Sequence, residues 1–376
     1  MYKVTTNGYA KLMRKCYNTK IPLFVAGGIG IGKSQIARQV AKEIASERGR
    51  EYVEWEHTSD ETKTEIIKNA KKYFVFCDQR IAQMDVTDLR GIPNFMNSES
   101  LKTIPYSWVI YFTQKDCDGV IFFDELNLAT PMVAGSAYQI INDRCISDRK
   151  LGDNVFCMGA GNRAEDKANI FPMPMPLHDR FAEAEVGIDV KEWCSWAIKN
   201  NINSHFIAFI NWKNSRLYNV NVKSGDKAST PRGIERANKL LGDMDITEDD
   251  AFELIAISCG EVFASEFQSY AKCYKDLNWE NIYKNPEVIQ KFEIDKIWAV
   301  AGGLSEQYKK NVQNKKFEQM MTVVSFMQPE FAIVSLRMLK DMNKSKFISQ
   351  IKSCEGGNKI LREHAKYLSD TAVEEK

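Results

Sequence analysis

The sequence has almost no excess of charge of either sign, since 51 lysines and arginines face 50 aspartates and glutamates among 376 residues. Such a chain has no overall basic field with which to hold nucleic acid, although a local basic patch is compatible with this composition. Closely spaced metal ligands are also missing: no two of the nine cysteines stand in a CxxC spacing, and only four histidines are present. These absences disfavour a structural zinc site.

Long apolar runs are lacking as well. No run approaches the roughly 20 residues of a bilayer-spanning helix, and the N-terminal stretch MYKVTTNGYAKLMRKC has no signal-peptide apolar core. An odd number of unclustered thiols is typical of a reducing compartment. We therefore expect a soluble cytoplasmic protein without a membrane segment, long enough for two or three domains.

Glycine is concentrated in the segment GGIGIGKS, residues 27–34. It follows the apolar run IPLFVA and precedes SQIARQVAKEIASERG, in which apolar residues recur at helical spacing. A glycine loop of the form GxxxxGK followed by Ser or Thr, between a buried strand and a helix, cradles phosphates because its N–H groups converge on the phosphate oxygens. The alternative is a flexible turn with an incidental lysine, which the complete motif and its context disfavour.

This loop supplies the candidate nucleotide-contacting residues. Lys33 is expected to neutralise the β- and γ-phosphates, and the hydroxyl of Ser34 is expected to ligate Mg²⁺. The candidate set is Gly27, Gly28, Ile29, Gly30, Ile31, Gly32, Lys33, Ser34 and Gln35.

Two later apolar segments also end in polar residues. DGVIFFDELNLA (118–129) leads to Asp124 and Glu125, and NVFCMGAGNR (154–163) leads to Asn162. Because α/β sheets bind ligands at the carboxyl ends of their strands, we expect Asp124 to hold Mg²⁺ through water and Glu125 to deprotonate the attacking water. Asn162 would hydrogen-bond that water or the γ-phosphate. The alternatives are a solvated acidic turn and an ordinary turn asparagine.

The rest of the chain narrows the class of nucleotide site. No NKxD signature for guanine is present, so adenine is favoured. Strand and helix patterns alternate up to Glu185 and become helical beyond it, which predicts a doubly wound parallel α/β sheet followed by helical domains. The segment 1–20 is expected to form a leading helix.

In these motifs the chain resembles the MoxR-type AAA+ ATPases, of the helix-2-insert group of ring ATPases. The matching blocks are GGIGIGKS, QRIAQMDVTDLRGIPN (79–94), VIFFDELNLATPMVAGSAYQIINDR (120–144), MGAGNRAEDKANIFPMPMPLHDRF (158–181), STPRGIERANKLL (229–241) and, more weakly, MQPEFAIVSLRML (327–339). Gly28 and Ile29 stand where such proteins commonly have prolines, a departure that removes no donor because proline has no N–H. The resemblance implies an AAA+ P-loop core at 1–185, an α-helical lid at 186–275 and a helical C-terminal extension at 276–376.

The resemblance also implies roles for individual residues. Asn162 matches the sensor-1 position, Arg180 the arginine finger that reaches a neighbouring subunit's γ-phosphate, and Arg232 the sensor-2 contact to the nucleotide. The sequence around Arg232 supports a helix start, since Thr230 suits an N-cap and Pro231 the first helical position. A salt-bridged surface arginine is the alternative for Arg180.

Three further features leave alternatives open. Arg144 and Arg163 could share the finger role, but inter-helix ion pairs are the favoured interpretation. The segment 90–117 is either the pore-facing insertion of the resembled family or a surface hairpin. The aromatic residues of the helical half are expected in the core rather than on a base-stacking platform, namely Trp193, Trp196, Phe206, Phe209 and Trp212.

The expected function is ATP hydrolysis, with ATP and Mg²⁺, by a homo-oligomeric and hexameric ring that remodels a partner protein. The resemblance implies a partner with a von Willebrand factor A domain. The alternative is an AAA+ nucleic-acid motor or loader, which the neutral net charge disfavours without excluding it. A nucleotide-binding scaffold without turnover is disfavoured because Glu125, Asn162 and Arg180 are all present.

Overall fold

The computed structural model describes residues 1–94, 102–163, 171, 175–222, 226–310 and 312–354. Parts of the predicted insertion (95–101), of the block before Arg180 (164–170 and 172–174) and of the predicted C-terminal extension (355–376) lie outside the described residues. The chain divides into two compact units, Met1–Asp189 and Val190–Lys376.

The first unit alternates strands and helices. Its strands are β1 (Tyr2–Val4), β2 (Leu23–Gly27), β3 (Glu51–Glu54), β4 (Tyr73–Arg80), β5 (Ile92–Asn94), β6 (Lys102–Ile104), β7 (Asp118–Asp124), β8 (Cys145–Ile146), β9 (Arg149–Lys150), β10 (Asn154–Gly161) and β11 (Ala182–Val186). Its helices are α1 (Thr6–Thr19), α2 (Lys33–Glu47), α3 (Asp60–Lys68), α4 (Val86–Arg90), α5 (Ser107–Phe112), α6 (Pro131–Asp143) and α7 (Met175–His178).

Seven strands form one sheet in the order β1–β11–β2–β10–β7–β4–β3, and every neighbouring pair is parallel. The central strands are apolar and almost wholly buried because helices cover both faces of the sheet. On one face Tyr17 of α1 packs against Phe74 and Phe156, with ring centroids 5.8 and 6.1 Å apart. On the other, Phe24 and Phe123 belong to the core that includes residues of α3, α5 and α6. The predicted doubly wound parallel fold is confirmed.

Three elements of this unit were not predicted. Strands β1, β3 and β11 are short and contain charged or half-exposed residues, so they lack the apolar signature of the central strands. Of the three, β1 and β3 are the edges of the sheet. Strand β11 continues to Val186, which carries the sheet one residue past the predicted end of the core at 185.

The segment 90–117 contains both a hairpin-like pair and a helix. Strands β5 and β6 pair antiparallel, with Ile92 opposite Ile104, and both isoleucines are more than half exposed. The apolar run WVIYF is not part of that ladder. It forms α5, which buries Trp108 and Phe112 in the core of the first unit.

The second unit is mainly helical in its described residues, with an isolated antiparallel bridge between Asn219 and Ser229. Its helices are α8 (Val190–Lys199), α9 (Ser204–Trp212), α10 (Pro231–Leu241), α11 (Asp249–Cys259), α12 (Glu261–Lys275), α13 (Trp279–Lys284), α14 (Ile294–Lys309), α15 (Asn314–Ser325), α16 (Pro329–Met342) and α17 (Lys344–Ser353). Among the described residues, no helix has both the length and the apolar character needed to cross a membrane. All nine cysteines are free thiols.

The aromatic residues of this unit mostly lie in its core. Phe206 and Phe209 are fully buried and Trp193 nearly so, as predicted. Trp196 and Trp212 are only half-buried. Buried rings cannot stack on nucleic-acid bases, so a stacking platform built from these five residues is disfavoured.

A buried carboxylate fastens the amino-terminal edge of the parallel sheet. Asp118, the first residue of β7, is fully buried and accepts hydrogen bonds from the Tyr17 hydroxyl and from Arg48 Nε, each at 2.6 Å. Arg50 Nε lies 3.3 Å from the same carboxylate. Burial, followed by the hydrogen bond to Asp118, raises the pKa of Tyr17. The network therefore ties α1 and the end of α2 to the strand that ends at Asp124.

Replacing Asp118 with asparagine should destabilise the first unit by about 1.5–3 kcal/mol, the scale of a hydrogen bond to a charged group, because both arginines lose their counter-charge. Urea denaturation measures the effect. Asp116→Asn is the matched control, since Asp116 is exposed and surface substitutions usually stay within about 0.5 kcal/mol. Equal midpoints for the two variants would show that the network is not a significant source of stability.

Candidate functional site

The glycine loop connects the fully buried strand β2 to helix α2. Gly30 and Gly32 have φ values of 74° and 91°, a backbone region that side chains disfavour. Gly32 is the N-cap of α2, and its carbonyl accepts from Ile36 N at 2.9 Å. The helix therefore starts at Lys33, and its N-terminal N–H groups face the loop, as an anion site requires.

The ammonium group of Lys33 lies within the curve of this loop. Its Nζ donates to the carbonyls of Gly27 at 2.7 Å and Gly28 at 3.1 Å, and it lies 3.4 Å from Asn162 Oδ1. A Cβ added to Gly27 would come within 2.7 Å of the Ile31 side chain and 3.0 Å of the Val186 carbonyl. The close packing at the start of the loop thus leaves no room for a side chain at Gly27. The contact with Asn162 places the Lys33 ammonium beside the end of the neighbouring strand β10.

The acidic pair Asp124–Glu125 stands at the carboxyl end of β7. Both residues are half-buried, and Asp124 Oδ1 accepts from Glu125 N at 2.9 Å. Glu125 has a φ of 56°, a left-handed conformation that costs a non-glycine residue about 1–3 kcal/mol and is concentrated at functional sites. Asp124 is thus the last residue of the extended strand, and the chain turns in the left-handed conformation at Glu125 directly after it.

Helix α1 lies against the same site. The hydroxyl of the fully buried Tyr9 donates to the Lys33 carbonyl at 3.3 Å. Burial, and then the negative charge of Asp124, raise the pKa of Tyr9. Tyr9 is therefore a neutral phenol between the start of α2 and the end of β7.

Asn162 lies just beyond β10 and is held by a residue that the sequence reasoning missed. Asn127 Nδ2 donates to the Asn162 carbonyl at 2.7 Å, and Asn127 Oδ1 accepts from Asn162 N at 3.0 Å. Asn127 is only 8% exposed. A polar amide inside the stretch LNLA, directly after the acidic pair, was the available signal, but its partner lies 35 residues away.

A buried carboxylate on strand β4, which lies next to β7, was also missed. Asp78 is buried, and Arg38 of α2 donates to its Oδ2, while Arg38 Nε lies 3.3 Å from Glu54 Oε2. Burial raises the pKa of Asp78 against the opposing charge of Arg38, and the charge of Asp124 adds to the rise. This ion pair fixes the second turn of α2 relative to the sheet.

The three arginines considered for a finger occupy different environments. Arg180 is exposed, in the turn between α7 and β11. Arg163 Nη1 lies 3.6 Å from Glu185 Oε1, and this ion pair joins it to strand β11. Arg144 donates to the carbonyls of Val155 and Gly152 at 2.9 and 2.7 Å. The predicted inter-helix ion pair is therefore wrong for Arg144 in these contacts, which are made to backbone carbonyls.

Arg232 belongs to the second unit. The predicted helix start is confirmed: Thr230 is the N-cap of α10, its hydroxyl accepts from Gly233 N at 3.1 Å, and Pro231 is the first helical residue. Arg232 is exposed in the first turn.

The donor set at the carboxyl edge suits a hard divalent cation. Ser34, the second residue of α2, and Asp124 offer oxygen ligands, and a cation of the Mg²⁺ type keeps several waters and needs few protein ligands. No cluster of three or more His, Cys, Asp or Glu side chains that could hold a metal ion is found in the described part of the chain.

The comparisons with known proteins give structural similarity alone. No protein-family model matches the chain, and no curated protein matches it significantly. Among solved structures, NtrX of Brucella abortus in complex with ADP aligns at 10% identity over 96% of this chain and 68% of that chain, with a TM-score of 0.36. A RuvB mutant of Thermotoga maritima aligns at 13% identity over 90% and 91%, with a TM-score of 0.28.

A third solved structure is the ORC2 protein of Aeropyrum pernix in ADPNP and ADP complexes. It aligns at 11% identity over 96% of this chain and 94% of that chain, with a TM-score of 0.29. Identities and scores this low carry no argument about substrate or partner, which must come from the site itself.

Replacing Lys33 with alanine should weaken ATP binding about 10–100-fold, because the triphosphate loses a charge-assisted hydrogen bond of about 1.5–3 kcal/mol. Isothermal titration calorimetry gives the dissociation constants. Lys42→Ala on the same helix is the control, since the Lys42 side chain is 59% exposed. Equal affinities in the two variants would contradict a phosphate-binding role for Lys33.

Proposed function

We propose that this protein binds ATP at the glycine loop and hydrolyses it. The observation that supports this function is the convergence of Lys33, Asn162 and the Asp124–Glu125 pair at the carboxyl ends of the adjacent parallel strands β2, β10 and β7. Ligands of open α/β sheets bind at this edge, and phosphoryl transfer needs a cationic cradle, a polar contact to the attacking water and a base in one place.

Each residue takes one role in the proposed reaction. The loop N–H groups from Gly27 to Ser34 and the Lys33 ammonium bind the phosphates and neutralise their charge. Glu125 accepts the proton of the attacking water as general base, and the Asn162 amide orients that water. The strained φ of Glu125 supports its assignment over Asp124 as the base.

Mg²⁺, when bound with the nucleotide, neutralises charge between the β- and γ-phosphates. Ser34 and Asp124 would hold it. Asp124 is suited to this role because it is half-buried at the carboxyl end of β7 and its Oδ1 is held in place by the bond from Glu125 N.

Glu125→Gln should bind ATP as the wild type does and lose at least about 100-fold in turnover, the usual contribution of a general base. Titration calorimetry and a phosphate-release assay measure the two quantities. Glu47→Gln, on the exposed side of α2, is the matched control. The division of labour between Lys33 and Glu125 is wrong if Glu125→Gln loses ATP affinity as severely as Lys33→Ala does.

We further propose that the protein is an AAA+ ATPase of the MoxR type that works as a homo-oligomeric, hexameric ring. In this proposal the helical half comprises a lid (186–275) and an extension (276–376), and Arg232 contacts the nucleotide. Arg180 acts on the γ-phosphate of the neighbouring subunit. Its exposure in the turn before β11 supports a role outside its own core.

The proposed work of the ring is remodelling of a partner protein, with a von Willebrand factor A domain as the candidate partner. One observation favours the alternative, a nucleic-acid motor or loader. Four exposed lysines line a groove of about 720 Å³ at the amino-terminal edge of the sheet, namely Lys68, Lys71, Lys72 and Lys115. DNA stimulation of the ATPase that weakens with salt would favour the alternative, and its absence favours remodelling.

Arg180→Ala should bind ATP and hydrolyse almost none, since a finger of this kind contributes about 10³–10⁵ in rate. Lys33→Ala should be inactive at ATP concentrations well below its weakened dissociation constant. In a mixed ring some junctions pair the intact loop of the first variant with the intact arginine of the second, so mixing two inactive proteins should restore measurable ATPase.

Mass spectrometry of differently tagged subunits controls for exchange into common rings. If the variants assemble together and the mixture stays inactive, Arg180 does not act between subunits. Arg163 and Arg144 are then the next arginines to substitute in the same mixing experiment.

A further inference from the structure

The contact between Asn127 and Asn162 continues the hydrogen bonding of the sheet beyond the point where strand pairing stops. Strand β10 pairs with β7 only as far as Gly159, which lies opposite Phe123. On its other side β10 pairs with β2 up to Gly161. Beyond Gly159, the side-chain amide of Asn127 takes the place of a β7 backbone and bonds both the N–H and the C=O of Asn162.

We infer that Asn127 is a positioning residue for ATP hydrolysis, which fixes the backbone of Asn162 so that its side chain stays directed at the glycine loop. This inference rests on the proposed function. The side chain that it positions has its Oδ1 3.4 Å from Lys33 Nζ. Asn127 itself is 8% exposed and points its amide at a peptide group, so it acts through Asn162.

Two glycines of β10 are explained by the same contact. A Cβ on Gly159 would come within 2.7 Å of the Leu126 side chain, and a Cβ on Gly161 within 2.4 Å of Asn127 Oδ1. The segment MGAGN therefore carries its glycines to admit the turn that follows β7, which seats Leu126 and Asn127 over successive same-face positions of β10. A steric fit on this scale leaves little freedom for Asn127 to shift along the strand.

The turn that carries Asn127 also carries the proposed base. Leu128 N donates to the Glu125 carbonyl at 2.8 Å and closes a single 3₁₀ turn, Leu126–Leu128. The Asn127 carbonyl accepts from Phe171 N at 2.8 Å, so the turn also contacts Phe171. The proposed base and the residue that holds Asn162 therefore belong to the same short turn.

Asn127→Ala should lower kcat about 10–100-fold, the usual effect of a displacement of about 1 Å in a reacting group. The dissociation constant for ATP should stay close to that of the wild type, because the loop N–H groups and the bonds from Lys33 to the Gly27 and Gly28 carbonyls do not involve Asn127. Asn127→Asp should fall at least as far as alanine. It retains an acceptor for Asn162 N but presents a carboxylate oxygen to the Asn162 carbonyl.

Asn142→Ala is the matched control, an asparagine exposed on α6, and it should leave both constants unchanged. All rates are normalised to the folded fraction. A purely structural role for Asn127 would lower the unfolding midpoint while leaving kcat per folded molecule within about twofold of the wild type, and that result would overturn the inference.

Hydrogen exchange of the Asn162 amide in nucleotide-free protein separates this inference from the proposed function. Exchange should be faster in Asn127→Ala than in the wild type, because the amide loses its acceptor. Unchanged exchange would show that Asn127 does not hold the Asn162 backbone and would refute the inference. If the wild type hydrolyses no ATP while exchange is still faster in Asn127→Ala, the proposed function is refuted and the contact between Asn127 and Asn162 is retained.

Discussion

The parallel pairing of β2, β10 and β7 is the constraint on which the rest of the site depends. Because all three strands run the same way, the loop after β2, the residue after β10 and the acidic pair after β7 meet at one edge of the sheet. The pairing is possible because both faces of these strands are covered by helices and the strands can be apolar throughout. Polar residues then appear at the ends of these strands, and those that follow the carboxyl ends lie together at that edge.

The two edges of the sheet have different polar organisation. At the amino-terminal edge Asp118 is completely buried and fully engaged by Tyr17, Arg48 and Arg50. At the carboxyl edge, Asp124 at the other end of the same strand is half-exposed and bonded within its own turn. A buried, paired carboxylate contributes to the fixed position of the helices, whereas a half-exposed one retains oxygen lone pairs for a ligand. One end of β7 thus carries a carboxylate that stabilises the fold, and the other carries a carboxylate that is accessible to a ligand.

Much of the site could be predicted from the sequence because its signals are local. The glycine loop, the apolar runs of β2, β4, β7 and β10, and the start of α10 at Thr230 and Pro231 are each encoded within about a dozen consecutive residues. Backbone permissiveness at glycine, burial of apolar runs and side-chain capping act over that range. The doubly wound sheet followed from their order along the chain.

The features that the sequence did not reveal are contacts between distant segments. Asn127 meets Asn162 across 35 residues, Arg38 meets Asp78 across 40, and Arg163 pairs with Glu185 on a strand too short and polar to be predicted. The apolar run in α5 reads equally as strand or helix until its burial under the sheet decides. The sequence by itself therefore determined where the central strands end and which candidate residues follow them. Only the tertiary structure decided which side chains hold them in place, because a hydrogen bond is specified by distance in space and not by separation along the chain.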